Sequence, residues 1–164
     1  MGDVILKSIT LSSLEERYLE LSSSLVRTPT VKLTSPFLID LIKASQIYLK
    51  LECFQYSGTF KARGALSVAK QIPEKDKKFG ITAASAGNHA IAAAWAAKVE
   101  NLSAKVVMQT SANPFRISLA KTFGAEIIMK EGGVATFAEA DKLMREERRT
   151  FIHPFDGLDT ILNE

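Results

Sequence analysis

Residues 57–65 read SGTFKARGA and contain one lysine, Lys61, whose close neighbours are small or aromatic apart from Arg63. The segment contains no acidic residue that would pair with the amine. Partial desolvation favours an uncharged lysine amine, which is the form that attacks a carbonyl carbon. Lys61 is therefore a candidate for covalent catalysis. A plain surface lysine in the first turn of a helix is the alternative, and this segment alone does not separate the two.

A second candidate segment reads ASAGNHA at residues 84–90 and joins an apolar run to an alanine-rich stretch. Small residues let a ligand approach the backbone, and the N–H groups of a first helical turn attract an anion such as a carboxylate. Ordinary capping is the simpler interpretation, with Ser85 or Asn88 as the N-cap residue and a tight turn at Gly87. His89 taken alone is typical of a hydrogen-bonded structural histidine.

The elements that position both segments alternate regularly along the chain. Apolar runs predict strands, and the stretches between them have helical character. The predicted strands are 79–84, 105–109, 126–130 and 150–155, and the predicted helices between them are 88–98, 114–123 and 134–149. This alternation predicts an α/β fold with a parallel, open twisted sheet and flanking helices. Ligands bind such sheets beyond the carboxyl ends of the strands, where residues 85–89 stand.

The first part of the chain has a different pattern. Helical spacing predicts helices over 11–21, 35–44 and 59–71, and polar–apolar alternation predicts a strand over 46–51. Gly132 and Gly133 are predicted to form a turn after the third strand. Cys53 stands beside Leu51 and Phe54, which predicts a buried thiol.

The composition bounds the function. The chain has 164 residues, a formal charge of +3 and charges of mixed sign, so no nucleic-acid partner is expected. A single cysteine excludes an intrachain disulfide and favours a reducing compartment. The sequence contains neither a signal-peptide pattern nor a run long enough to span a membrane, so we expect a cytoplasmic protein without a membrane partner. Two histidines in separate segments and one cysteine make a metal site unexpected.

Taken together, the motifs closely resemble those of the fold-type II pyridoxal-phosphate (PLP) enzymes, namely the threonine dehydratases, serine dehydratases and serine racemases. The resemblance runs from about residue 10 to the end of the chain. The matching stretches are Thr28-Pro29, Lys50-Leu51-Glu52 with Gln55, residues 57–65, residues 85–90, residues 123–126 and residues 152–156. The resemblance implies a tryptophan-synthase-beta-like PLP fold.

The resemblance also implies roles for single residues. Lys61 would bind PLP covalently through its amine and, once released, remove the α-proton of an amino-acid substrate. Phe60 would pack against the cofactor ring and Asn88 would hydrogen-bond the ring oxygen. Ser85, Gly87 and His89 would help hold the substrate carboxylate. Ala86 stands where serine racemases of this family usually carry a serine, so the resemblance favours dehydration of threonine or serine to a 2-oxo acid and ammonia, with racemisation as an alternative.

The resemblance implies a division of the chain into three parts. Residues 1–73 would begin a large PLP domain, residues 74–152 would form a complete small domain, and residues 153–164 would return to the large domain. No glycine-rich loop for the PLP phosphate is recognised, so we expect a truncated form. A catalytically inactive remnant, or a small-molecule-binding or interaction module, is the alternative. Unpaired sheet edges and exposed apolar surface would favour a homo-oligomer, a dimer or higher.

Overall fold

The computed structural model describes residues 9–43 and 46–162. Its first part contains three helices and a two-stranded antiparallel sheet, in which Thr30 lies opposite Lys50. These elements are α1 (Leu11–Leu21), β1 (Thr30–Leu33), α2 (Pro36–Leu41), β2 (Ile47–Lys50) and α3 (Lys61–Lys70), with short 3-10 turns at Ser22–Ser24 and Glu52–Phe54. The predictions for this part are confirmed to within a few residues. Residues 1–8 and residue 44, the last of the second predicted helix, lie outside the described residues.

The second part alternates helices and strands as predicted. Its elements are α4 (Glu74–Lys77), β3 (Ile81–Ala84), α5 (Asn88–Val99), β4 (Ala104–Gln109), α6 (Pro114–Thr122), β5 (Glu126–Lys130), α7 (Gly132–Glu146), β6 (Thr150–Phe151) and α8 (Leu158–Ile161). The four strands β3 to β6 form one sheet in the order β5-β4-β3-β6, and every neighbouring pair is parallel. The predicted parallel α/β fold is confirmed.

Local sequence signals explain where several helices begin. The Thr10 side chain accepts a hydrogen bond from the backbone N–H of Ser13, and the Ser13 hydroxyl accepts one from the backbone N–H of Thr10, which completes a capping box at α1. Ser35 and Asn113 cap α2 and α6 through their side chains, and each is followed by a proline in the first helical position. These caps fix the helix starts independently of tertiary packing.

Helix α5 packs between the sheet and helix α3 because its side chains are small. Nine consecutive residues from position 89 to 97 are buried, and most of them are alanine. Helix α3 presents Ala62, Ala65 and Ala69 to the same core, so the two helix backbones approach closely. The Trp95 ring stacks on Tyr56 at 5.7 Å between centroids. This packing brings the amino-terminal ends of α3 and α5, which carry the two candidate segments, into one region.

Three predictions need correction. Cys53 is exposed, not buried, because it lies in a single 3-10 turn whose neighbour Phe54 is also exposed. Gly132 and Gly133 begin helix α7 instead of forming a separate turn. Strand β6 ends at Phe151, well short of residue 155, since Pro154 has no N–H group to continue a ladder.

Large apolar side chains are exposed in the first part of the chain. On α1 only Leu21 is fully buried, whereas Leu11, Leu14 and Tyr18 are exposed. Further exposed side chains are Phe37, Leu41, Ile42, Tyr48 and Leu49. The expected exposure of apolar surface is therefore found, while a homo-oligomer stays a prediction. Among the described residues, no helix combines the length and the apolar character that crossing a membrane requires.

Candidate active site

Lys61 is the first residue of helix α3, and its side chain is partly buried. The Nζ atom donates a hydrogen bond to the carbonyl oxygen of Pro154 at 2.5 Å. It also lies 4.9 Å from the centroid of the Phe60 ring. The Lys61 amine is thus held between an aromatic ring and the segment that follows strand β6, which differs from the solvated surface lysine left open by the sequence.

A polar network fixes the start of helix α3. Arg63 donates two hydrogen bonds of 2.8 Å, one to each carboxylate oxygen of Glu52. The Thr28 hydroxyl donates to the same carboxylate at 2.5 Å, and Lys50 donates to the Thr28 carbonyl. The Arg63 hydrogen bonds, above all, lower the pKa of Glu52, so this carboxylate stays charged. The network ties α3 to the β1–β2 sheet two residues beyond Lys61.

The second candidate segment, residues 85–89, connects β3 to α5. The Ser85 N–H donates to the carbonyl oxygen of Val107 on the neighbouring strand, and the Ser85 hydroxyl accepts from the Gly87 N–H at 3.1 Å. Gly87 is the N-cap residue of α5, and no side chain of residues 9–43 or 46–162 caps this helix. The predicted capping by Ser85 or Asn88 is therefore wrong.

Residues 85–89, hereafter the 85–89 turn, are open to a ligand on one side. Ser85, Ala86 and Gly87 are partly exposed, and the Asn88 side chain is exposed. In the described part of the chain no side chain accepts from the N–H groups of Asn88 and His89 at the start of α5, so these groups present positive partial charge along the helix axis. The turn is suited to an anionic group such as a carboxylate.

His89 has a different environment from the rest of the turn. Its side chain is only 4% exposed, and its Nε2 atom lies 2.9 Å from the carbonyl oxygen of Ile152. Because a carbonyl oxygen only accepts, Nε2 carries the proton, and Nδ1 is a buried acceptor that finds no hydrogen-bond partner among the residues the structure describes. Burial chiefly, with the nearby charges of Lys61 and His153, lowers the pKa of His89 to about 4.

The His89 side chain therefore has no donor left for a carboxylate. The imidazole is neutral at pH 7, and its single N–H group is already used by Ile152. A part for His89 in holding a carboxylate, which the resemblance implies, rests on its backbone N–H group. That role stays a prediction.

Backbone atoms after strand β6 join the two candidate segments. Lys61 binds the Pro154 carbonyl and His89 binds the Ile152 carbonyl, two residues apart. Residues 152–156 match a stretch of the resembling family, but the resemblance implied no role for them. No residue type signals such a role, because every residue carries the same backbone acceptor.

Space for a planar ligand lies against Phe60. A cavity of about 460 Å³ is bounded there by Phe60 and by the charged groups of the network at the start of α3. A second cavity, of about 390 Å³, is lined in part by His153, Asp156 and Leu158. The Phe60 ring therefore borders open space.

The chain is similar to a known family of proteins. Residues 21–163 match the family described as pyridoxal-phosphate dependent enzyme. The chain is 41% identical over 121 residues to phenylserine dehydratase of Ralstonia pickettii, a match that covers 74% of this chain and 37% of that protein. It is 34% identical over 149 residues to a catabolic L-threonine dehydratase of Staphylococcus aureus strain USA300, which covers 90% of this chain and 42% of the relative.

Solved structures with the same fold include a T.th. threonine deaminase, with a TM-score of 0.80 and 33% identity over 94% of this chain and 48% of that one. Serine racemase from Dictyostelium discoideum superposes with a TM-score of 0.83 and 25% identity, over 95% of this chain and 50% of that one. This chain spans between 37% and 50% of the length of these four relatives.

Proposed function

This chain belongs to the family of pyridoxal-phosphate dependent enzymes, and on that premise we propose that the protein is an ammonia-lyase acting on a hydroxy-amino acid. Threonine and serine are the proposed substrates, and the products are a 2-oxo acid and ammonia. The observation that carries the proposal is the position of the Lys61 amine, held at the Pro154 carbonyl beside the Phe60 ring. We also propose that residues 1–73, 74–152 and 153–164 belong to a large domain, a small domain and the return to the large domain.

The residues at this site fit the ring end of PLP. Lys61 offers a partly buried amine, Phe60 offers an aromatic face with open space beside it, and Asn88 offers an exposed amide at the start of α5. The orphaned Nδ1 atom of His89 shows that the buried side of the site is polar as well. In the proposed arrangement Lys61 would hold PLP through its amine, Phe60 would pack on the ring and Asn88 would hydrogen-bond the ring oxygen.

Bound PLP supplies an electron sink for the bond that breaks at the α-carbon. The protein's own contribution is to bind, orient and move a proton. In its uncharged form the Lys61 amine would donate one hydrogen to Pro154 and keep its lone pair for the α-proton of the substrate. The backbone of the 85–89 turn orients the carboxylate of the substrate, and the Asn88 side chain faces the open side of the turn.

Ala86 supports elimination over racemisation. A racemase needs an acid on the face of the substrate opposite the lysine, and the Ala86 methyl group has no proton to donate. Its side chain packs partly against the core beneath the turn. Serine racemases share this fold, so fold alone does not separate the two reactions, and Ala86 is the residue that favours elimination.

Covalent trapping of the cofactor on Lys61 tests the proposal. The chain is incubated with PLP, reduced with borohydride, digested and mapped by mass spectrometry. We expect the modification on the Lys61 peptide, its loss in Lys61→Arg and its retention in Lys70→Arg, a matched change on the same helix. Equal modification of many lysines, or an unchanged yield in Lys61→Arg, would contradict the proposal. Formation of 2-oxobutyrate from threonine or pyruvate from serine then tests the reaction itself.

A further inference from the structure

Arg116 lies on helix α6 and extends to the 85–89 turn. A Cβ atom built on Gly87 would stand 2.9 Å from the Nη1 atom of Arg116 and 3.9 Å from its Cζ atom. The guanidinium group therefore fills the space that a side chain at position 87 would occupy. A residue from the neighbouring βα unit thus borders the turn that follows β3.

The Arg116 guanidinium has no acceptor within the described part of the chain. Neither a hydrogen bond nor an ion pair joins it to residues 9–43 or 46–162. Five other arginines are paired with carboxylates, namely Arg17, Arg63, Arg145, Arg148 and Arg149, whereas Arg27 and Arg116 are exposed and have no such partner among the described residues. The Arg116 cation and the unused N–H groups of the 85–89 turn together form a place where an anion would bind.

From this juxtaposition we propose that Arg116 is a substrate-binding residue that pairs with the α-carboxylate of the amino acid held at the 85–89 turn. The inference rests on the proposed function, because that function places a carboxylate at this turn. A guanidinium group matches a carboxylate through two parallel N–H donors, and the lack of a Cβ atom on Gly87 lets the two groups meet.

Arg116 would not distinguish one amino-acid substrate from another. Serine, threonine and 3-phenylserine all carry the same α-carboxylate, so Arg116 contributes affinity that these substrates share. Discrimination among their side chains must come from other residues. The ligand class assigned to Arg116 is thus the carboxylate of an α-amino acid, independent of what stands on the β-carbon.

Binding of a small carboxylate tests this without any catalysis. Propionate is titrated into the ¹⁵N-labelled chain, and the amide shifts of residues 85–89 are followed by NMR at constant ionic strength. Propanamide, which has the same shape without the charge, is the ligand control. The variants are Arg116→Gln, Arg116→Lys and Lys121→Gln, the last of which removes one exposed positive charge from the same helix.

We expect a saturable shift with propionate and none with propanamide. Arg116→Gln should weaken propionate binding by roughly tenfold, the factor that corresponds to losing one charge-assisted hydrogen bond. Arg116→Lys should recover part of the affinity, because it keeps the charge but not the fork, and Lys121→Gln should leave it unchanged.

Two results would overturn the inference, and they differ in meaning. Equal affinity in Arg116→Gln and Lys121→Gln would remove Arg116 from the site while leaving the carboxylate turn intact. No saturable shift in the starting protein would remove the carboxylate site as well. Failure of the proposed function is read separately, from the trapping of PLP on Lys61, so the two failures are distinguishable.

Discussion

Lys61 and His89 hydrogen-bond to carbonyl oxygens only two residues apart, those of Pro154 and Ile152. Lys61 and His89 lie in the first turns of two different helices, α3 and α5. Both side chains hydrogen-bond to the backbone of the segment after β6. The charge of Lys61 also acts on the His89 imidazole and lowers its pKa. The amine and the neutral imidazole therefore belong to one site, although 27 residues separate them in the sequence.

The buried imidazole makes stability depend on pH. The pKa of His89 is about 4 in the folded chain against 6.5 ordinarily, so between these values the unfolded chain binds a proton that the folded chain does not. Stability should therefore fall as the pH drops from 6.5 towards 4, by about 3 kcal/mol in total. Urea unfolding at several pH values measures the slope.

Two variants identify His89 as the source of this slope. His89→Gln keeps a donor for Ile152 but does not titrate, so the slope between pH 6.5 and 4.5 should be much smaller than in the starting protein. His153→Gln, which changes the only other histidine, should keep it. An unchanged slope in His89→Gln would contradict the prediction. Below pH 4.5 the carboxylates with lowered pKa values, such as Glu52, add their own loss.

The pair of Glu52 and Arg63 should contribute measurably to stability. In Glu52→Gln the Arg63 guanidinium keeps a neutral partner in a largely buried position, and we expect the free energy of unfolding to fall by about 1–3 kcal/mol. Glu146→Gln on the exposed face of α7 is the control and should change it by less than about 0.5 kcal/mol. Equal effects of the two variants in denaturant unfolding would show that the network does not hold the start of α3.

The backbone of Gly80 lies too close to Ser103 for any residue with a Cβ atom to take its place. Its φ angle is +72°, and an added Cβ atom would stand 2.2 Å from the Ser103 carbonyl oxygen. Gly124→Ala is a matched control, since φ there is +90° but the space is open. We expect Gly124→Ala to lose about 1–2 kcal/mol from backbone strain alone. Gly80→Ala should lose a further 1–3 kcal/mol, roughly, from overlap. Thermal unfolding that ranks the two equally would contradict this.

Gly87 should matter for ligand binding more than for folding. An added methyl group would meet the Arg116 Nη1 atom, which is the end of a flexible side chain that moves aside. We expect Gly87→Ala to change the unfolding free energy by less than about 1 kcal/mol. Propionate binding at the turn should nevertheless weaken, because the guanidinium group is displaced. Gly133→Ala, whose added atom makes only an ordinary contact with Gln109, should change neither measurement.

Much of the fold follows from signals that act locally. Pro36 and Pro114 mark helix starts, Asn101 takes the left-handed conformation with φ of 55°, and apolar runs mark β3, β4 and β5. These signals depend on a few consecutive residues. They therefore appear in the sequence whatever the rest of the chain does.

The features that the sequence did not predict depend on tertiary contacts. The burial of Cys53 was predicted from its neighbours, but a 3-10 turn directs consecutive side chains in different directions. The guanidinium of Arg116 reaches Gly87 across two βα units, and no spacing rule connects these positions. Of the site residues, the sequence indicated Lys61 and the 85–89 turn, while the acceptors at 152 and 154 became visible only in three dimensions.

Strand β6 is held to the sheet by only two register pairs, Thr150 and Phe151 with Ile81 and Thr82. Beyond β6, the side chains of Lys61 and His89 hydrogen-bond to the backbone carbonyl groups of Pro154 and Ile152. Chemistry at the Lys61 nitrogen that draws it away from Pro154 would remove one of these two hydrogen bonds and leave that of His89, together with the Arg17–Asp159 ion pair further along the chain. Covalent modification of the Lys61 amine would therefore weaken the attachment of the segment after β6.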